Sequence, residues 1–412
     1  MTSADETPVR VGVFGLLGSG NLGNDGSLEA VLGYLRAEHP DAVVDALCGG
    51  PEIVTARYGI PATRLHWNRE EYRTASRAGA IAAKGLGKLV DVFRTAAWVR
   101  RHEVVIVPGM GVLEATLPLR AWGFPYSLFL LCASGRLLRT RVALVSVGAA
   151  TIGNRPTRAL VRWSARLATY RSYRDAQSRD AMRAMGVDTA RDEVYPDLAF
   201  SLPAPRASAP SGSPGPVCVG VMDFHGGNDD RARADEIYRR YLDGTTRFVR
   251  ALVEEGRPVR LLTGDECDAS VVAAILDAVD SPLVTAAEPS SLADLMKEMA
   301  AADTVVAIRY HNLICALKTG TPVLALSYAA KSDALMAQMG LGAYCHPARE
   351  VDADRLLEQF RALEKRSAEL RQTLIERNQA AARQLEDQFT DLTAAVFPAS
   401  DHTHAHARQE AP

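Results

Sequence analysis

The sequence predicts an α/β protein of two Rossmann-like halves facing across a cleft and closed by C-terminal helices. Three observations carry this expectation. Apolar β-type runs alternate with helical patterns, Pro/Ser/Gly-rich chain interrupts the alternation once, and the same alternation restarts beyond it. The chain has 412 residues, enough for more than one core.

In the first half, Val9 to Leu17 reads as a strand, Gly26 to Glu38 as a helix and Val43 to Leu47 as a second strand. A helical stretch, Asn68 to Arg101, precedes two further strands, Val104 to Val107 and Val142 to Val147. These strands are continuously apolar rather than alternating, so both faces are buried and the sheet is parallel. Pro203 to Pro216 (PAPRASAPSGSPGP) has almost no aliphatic content and reads as a linker. Beyond it, strands are expected at Val217 to Met222, Val259 to Thr263, Val305 to Ile308 and Val323 to Leu326, and helix at Asp352 to Phe397. The resulting division is 1–202, linker 203–216, 217–350, C-terminal helices 351–397 and a disordered tail 398–412.

Composition narrows the function classes. With 47% hydrophobic and 23% charged residues and a net charge of −2, nothing draws the whole chain toward nucleic acid. Six scattered cysteines without a C-x-x-C pair read as small core residues in a reducing, cytoplasmic compartment. The first residues show no signal-peptide pattern, and no apolar run is long enough to span a bilayer. The basic Ala80 to Arg101 stretch (Lys84, Lys88, Arg94, Arg100, Arg101) reads first as a solvated helix face. Peripheral docking on an anionic membrane, at its inner face, is the alternative. His402, His404 and His406 resemble a metal tract but lie in the terminal tail.

Ligands in such folds sit outside the carboxyl ends of the strands. The first strand runs into Gly18-Ser-Gly20-Asn21-Leu-Gly23-Asn24-Asp25-Gly26. The spacing satisfies G-x-G-x-x-G, yet a dinucleotide site also wants an acid closing the second strand. That strand ends in Cys48-Gly49-Gly50-Pro51, with Asp45 inside it. Free N–H groups meeting an anion or sugar hydroxyls, or a tight turn capped by Asp25 or Asn24, are the readings left open. A second glycine loop, Pro108-Gly109-Met110-Gly111, closes another strand.

Arg309-Tyr310-His311 stands at the end of the Val305 to Ile308 strand. Strand alternation would point Arg309 and His311 to one side and Tyr310 to the other. Asn312 would cap a helix Leu313 to Lys318, and Lys331 follows the next strand end. Arginine fits a carboxylate or phosphate bidentately and histidine carries a proton near neutral pH, so the cluster reads as an anion-binding acid/base site. His225, Asp265 and Glu266 also follow strand ends and read first as loop residues.

Four blocks resemble the polysaccharide pyruvyl transferase family: Gly15 to Gly26, Tyr173-Arg174-Asp175 to Ser178, Tyr195-Pro196-Asp197 to Phe200, and Arg309-Tyr310-His311 through Gly320-Thr-Pro322 to Tyr328 and Lys331. The resemblance covers Val11 to about Leu341. It implies the glycosyltransferase-B type of fold, with no cofactor and no metal. It also implies transfer of the pyruvyl group of phosphoenolpyruvate onto two hydroxyls of a saccharide, which a lipid carrier could hold. On that reading Arg309, Arg174, Lys331, Tyr310 and Asn312 bind the donor. His311 is the general acid/base, Asp25 orients an acceptor hydroxyl, as Asp197 also could, and Gly18, Gly20, Asn21, Gly23, Asn24, Gly109 and Gly111 line the cleft. A nucleotide-sugar-dependent glycosyltransferase and a catalytically idle sugar-binding member are the alternatives.

Overall fold

The computed structural model describes residues 8–67, 77–114, 121–206 and 215–397. Two wholly parallel sheets organise them. The first has seven strands: β1 (Arg10–Gly15), β2 (Val43–Cys48), β3 (Ala62–Arg64), β4 (Val104–Pro108), β5 (Arg141–Val147), β6 (Tyr170–Tyr173) and β7 (Glu193–Val194), in the order β3-β2-β1-β4-β5-β6-β7. The second has six: β8 (Val217–Gly220), β9 (Val259–Leu262), β10 (Val284–Ala287), β11 (Thr304–Ala307), β12 (Val323–Ser327) and β13 (Cys345–Pro347), ordered β10-β9-β8-β11-β12-β13. Every residue of β4, β8 and β11 is buried, as continuous apolar runs require.

Helices cover both faces. In the first half they are α1 (Leu22–Glu38), α2 (Pro51–Tyr58), α3 (Arg77–Val99), α4 (Phe124–Leu138), α5 (Arg155–Leu167) and α6 (Ala176–Ala184). In the second they are α7 (Ala234–Glu254), α8 (Ala269–Val279), α9 (Leu292–Ala300), α10 (Tyr310–Thr319) and α11 (Ala330–Gln338), followed by α12 (Ala353–Lys365) and α13 (Ser367–Val396). In both sheets the strand order reverses direction once, between β1 and β4 and between β8 and β11. Those reversals are the positions where a doubly wound sheet opens a ligand crevice.

Several local expectations change. The first strand stops at Gly15, and α1 begins at Leu22 rather than Gly26, because Asn21 takes the capping position. Its side chain accepts from the N–H groups of Gly23 and Asn24, at 3.1 and 3.2 Å, so neither Asn24 nor Asp25 is the cap. The C-terminal helix is two helices broken at Arg366. The short strands β3, β6, β7, β10 and β13 carry too few apolar residues for a sequence pattern to show. Residues 68–76 of the expected helix, 207–214 of the linker and the tail 398–412 with its histidines lie outside the described residues.

The last helix spans both sheets. In its first half, Asn378 donates to the carbonyls of Leu317 and Lys318 at 2.8 and 3.1 Å. In its second half, Gln388 donates to the hydroxyls of Ser146 and Ser172, both at 2.8 Å, and Phe389 stacks on Tyr34 at 4.6 Å. One 30-residue helix thereby ties the β8–β13 layer to the β1–β7 layer.

Candidate active site between the two sheets

The loop after β1 is closed by its own side chains. Asn24 donates to the carbonyl of Leu16 at 3.1 Å, and the Asp25 carboxylate accepts from the Gly18 N–H at 2.7 Å. Gly18 and Gly20 sit at φ of 66° and 87°, where a side chain would be strained. Asp25 is buried, and burial raises its pKa, opposed by the Gly18 hydrogen bond and by Arg57. Its carboxylate is thus turned back into its own loop. The second half meets this loop directly. Asn21 donates to Asp265 at 3.2 Å, and Glu266 lies beside Gly20.

Gly23 is where the halves come closest. A Cβ there would land inside the imidazole of His311, so only glycine admits that ring. His311 occupies the first turn of α10, with Nε2 buried and without a hydrogen-bond partner among the described residues. Burial pushes its pKa down to about 4; Arg174 and Lys331 push the same way, against Asp197 and Glu114. The ring is therefore neutral at pH 7, unlike the expectation of a group near its ordinary value.

The alternation expected for Arg309 to His311 fails because the strand has already ended. Arg309 is the residue before α10, which begins at Tyr310, so Asn312 is inside the helix and not its cap. Arg309 instead pairs bidentately with the fully buried Asp268, at 2.5 and 2.6 Å. Burial opposes its charge, but Asp268 holds the guanidinium firmly protonated. Its charge is compensated within its own half. Asn312 is wholly buried between Gly220 and Gly264, where a Cβ on either would strike its amide, and both polar atoms lack a partner among the described residues.

The cations that line the cavity belong to a different group. Arg174, immediately after β6, donates to Glu114 at 2.5 Å and lies 3.6 Å from Asp197. Lys331, in the first turn of α11, reaches the other Glu114 oxygen at 3.1 Å. The Tyr310 ring lies between these cations, 4.7 Å from the Arg174 guanidinium and 5.5 Å from the Lys331 ammonium. Burial would raise Glu114, yet Arg174 and Lys331 outweigh it and hold the carboxyl at about 2. Glu114 can reach them because the loop after β4 bends through Gly109 and Met110, at φ of 47° and 60°. Gly111 and Gly148 leave its carboxylate room. Arg174, Asp197, Tyr310 and Lys331 line a cavity of about 100 Å³ whose far wall is α13, with Arg377 and Gln384.

Sequence reasoning missed Glu114, Asp268 and Arg377. A carboxylate three residues past Gly111, in a strand-end loop, was the available signal for Glu114. Nothing local marks Arg377, which belongs to a helix that reaches the site only through the fold. His225 stacks on Tyr238 at 4.7 Å and bonds Asp223 at 3.0 Å, at the rim and apart from this cluster's described contacts.

The model of the polysaccharide pyruvyl transferase family matches residues 21–329, which hold Asn21, Gly23, Glu114, Arg174, Tyr310 and His311. The chain belongs to that family. The match stops just short of Lys331 and omits α12 and α13. No curated protein sequence matches the chain. Solved structures of similar fold include the UDP-GlcNAc 2-epimerase from Neisseria meningitidis bound to UDP-GlcNAc, at 12% identity and TM-score 0.57, covering 93% of this chain and 99% of that one. MurG from Acinetobacter baumannii aligns at 13% identity and TM-score 0.55, covering 93% and 100%. The Methanocaldococcus jannaschii UDP-GlcNAc 2-epimerase aligns at 9% and 0.56, covering 86% and 92%. At these identities the likeness is one of fold, and the fold is glycosyltransferase-B-like. Among the described residues no helix is long and apolar enough to cross a membrane.

Proposed function

We propose that this transferase-family member moves the pyruvyl group of phosphoenolpyruvate onto two hydroxyls of a saccharide, forming a cyclic ketal and releasing phosphate. The observation that carries the reading is the convergence of Arg174, Lys331 and Tyr310 from both halves on one cavity, with Arg377 opposite. The donor bears a carboxylate and a phosphate, and bidentate arginine with a point-charge lysine suits that pair.

The steps balance without a cofactor. A proton adds to the methylene carbon, leaving an oxocarbenium at C2. One sugar hydroxyl attacks C2 and loses its proton. The C–O bond to phosphate then breaks with the electron pair leaving on phosphate, and the second hydroxyl closes the ring. Two hydroxyl protons are consumed, one in the new methyl group and one on the departing phosphate.

His311 is the group best suited to carry these protons. It is neutral in the free protein, and a bound trianion would raise its pKa toward the working range. Arg309 and Asn312 act on this reading by positioning α10, and Asp25 by shaping the acceptor loop.

The test is thermal unfolding of the wild type and of His311→Ala with phosphoenolpyruvate, UDP or buffer. A ligand that binds only the native state at a hundred times its Kd adds about 2.7 kcal/mol of stability. Stabilisation by phosphoenolpyruvate and not by UDP is the expected result. Stabilisation by UDP alone would transfer the reading to a nucleotide-sugar enzyme, and by neither to a sugar-binding member without turnover.

A further inference from the structure

α3 is amphipathic in an unusual sense, because its outward face is the apolar one. Asp91, Thr95 and Trp98 are buried, whereas Leu86, Leu89 and Phe93 are 58, 59 and 74% exposed. Their i, i+3, i+7 spacing puts the three in one row.

Two tryptophans bracket that row. The backbone N–H of Trp67 donates to Asp91 at 2.8 Å, which fixes a 53% exposed indole beside the middle of the helix. Trp122, 65% exposed, packs on Tyr126 at 5.5 Å, and Lys88 of the helix lies 5.5 Å over that same ring. Five large exposed apolar side chains thus gather on and beside one helix. A contiguous exposed patch of this kind marks an interaction surface.

Charge and position indicate the occupant. The α3 sequence carries four basic residues (Arg77, Lys84, Lys88, Arg94) against one acid, Asp91, so it is net positive by three. The single acid faces inward and is spent on Trp67, His66, Lys88 and Arg94. Tryptophan and phenylalanine flanked by lysine and arginine are the side chains that settle at the headgroup level of a bilayer.

The patch also belongs to the cleft rim. Trp67 follows the carboxyl end of β3, and Trp122 lies in the same β4–α4 connection as Glu114. α3 begins on that rim, since it runs from the end of β3 back to the start of β4.

We propose that Trp67, Leu86, Leu89, Phe93 and Trp122 dock this protein on an anionic lipid bilayer, with the mouth of the cleft facing the membrane surface. The docking needs neither donor nor turnover, so it stands or falls apart from the assigned reaction.

The test is flotation of the full chain with vesicles of phosphatidylcholine alone or mixed with phosphatidylglycerol, alongside tryptophan emission. The wild type should float with the mixed vesicles and its emission should shift to the blue. Leu89→Asp combined with Phe93→Asp should lower partitioning at least about tenfold, since two of the five apolar anchors become charged. Leu137→Asp, at an exposed leucine on the far end of α4, should leave it unchanged, with melting curves confirming that all chains are folded. Failure of the wild type to float overturns the proposal, as does flotation that the double variant keeps. Sedimentation velocity supplies the remaining check: a dimer broken by the same double variant, without vesicle binding, would assign the patch to a second copy of this chain and overturn it too.

Discussion

At the scale of single residues, the site rests on one carboxylate and one missing Cβ. Glu114 compensates two cations contributed by different halves of the molecule. Removing one partner of a buried ion pair leaves the other charge uncompensated, at a typical cost of about 3–5 kcal/mol. Glu114→Ala is therefore expected to lower unfolding free energy by about 3 kcal/mol, read from a urea titration, Asp197 retaining part of the compensation. Gly23→Ala tests the other feature. Its methyl group would occupy the volume of the His311 ring, so we expect lost turnover and a lower melting temperature from a change that usually favours a helix. A wild-type melting curve for Gly23→Ala would mean that the halves do not close as tightly as described. Among the described residues Arg377 faces the cavity without a compensating carboxylate of its own; Arg377→Ala should raise KM for phosphoenolpyruvate about tenfold with a smaller change in kcat, in line with loss of one charged hydrogen bond.

At the scale of elements, α13 and α10 decide whether these residues meet. α13 carries Arg377 toward the cavity and Gln388 into a buried cluster with Ser146 and Ser172. Ser146 itself sits at φ 48°, a backbone state that its neighbours must hold in place. Gln388→Leu would take one partner from each of two buried hydroxyls, leaving Ser146 the Pro196 carbonyl and Ser172 the Ser146 N–H, and about 1–2 kcal/mol of lost stability is the expected cost by chemical denaturation. The helix pattern of α13 is plain in its sequence, whereas its bridging role is not, since amphipathic periodicity says which face is buried and nothing about what buries it. α10 shows the converse. Its glycine stop at Gly320 and its strand–helix context are visible locally, yet the strand ends one residue earlier than the apolar run suggests. That small shift replaces period-2 geometry with helical geometry, sends Arg309 to Asp268 and turns Tyr310 toward Arg174.

At the scale of the whole molecule, closure of the two halves is linked to protons. His311 is held neutral, with a folded pKa of about 4 below the ordinary 6.5. Between those values the unfolded chain binds the extra proton, so stability present above pH 6.5 is lost as the pH falls toward 4. Glu114, depressed to about 2 from 4.5, adds a loss in the same direction below pH 4.5. We expect the melting temperature to fall through both windows, and His311→Gln to flatten the upper one. Binding of an anionic donor should draw a proton onto His311, so calorimetry near pH 6 in buffers of different ionisation enthalpy should report net proton uptake. An uptake of zero, or one that His311→Gln retains, would remove His311 from the proton path.

What the chain order alone determined is the architecture. Continuous apolar strands demand burial on both faces, glycine loops mark strand ends, and two such series predict two parallel sheets with a cleft between them. The same local signals singled out Gly18, Gly20, Gly23, Tyr310, His311 and Lys331 as candidates, because each stands within a few residues of a legible strand end, whereas Arg174 came from the family resemblance alone. Only the tertiary structure decided which of them share a site. Pairing of Arg309 with Asp268, of Glu114 with both Arg174 and Lys331, and of Gly23 with His311 joins residues from 41 to hundreds of positions apart. Periodicity fixes the direction of a side chain within its element; its electrostatic partner is set by how the elements pack, and that information is not local.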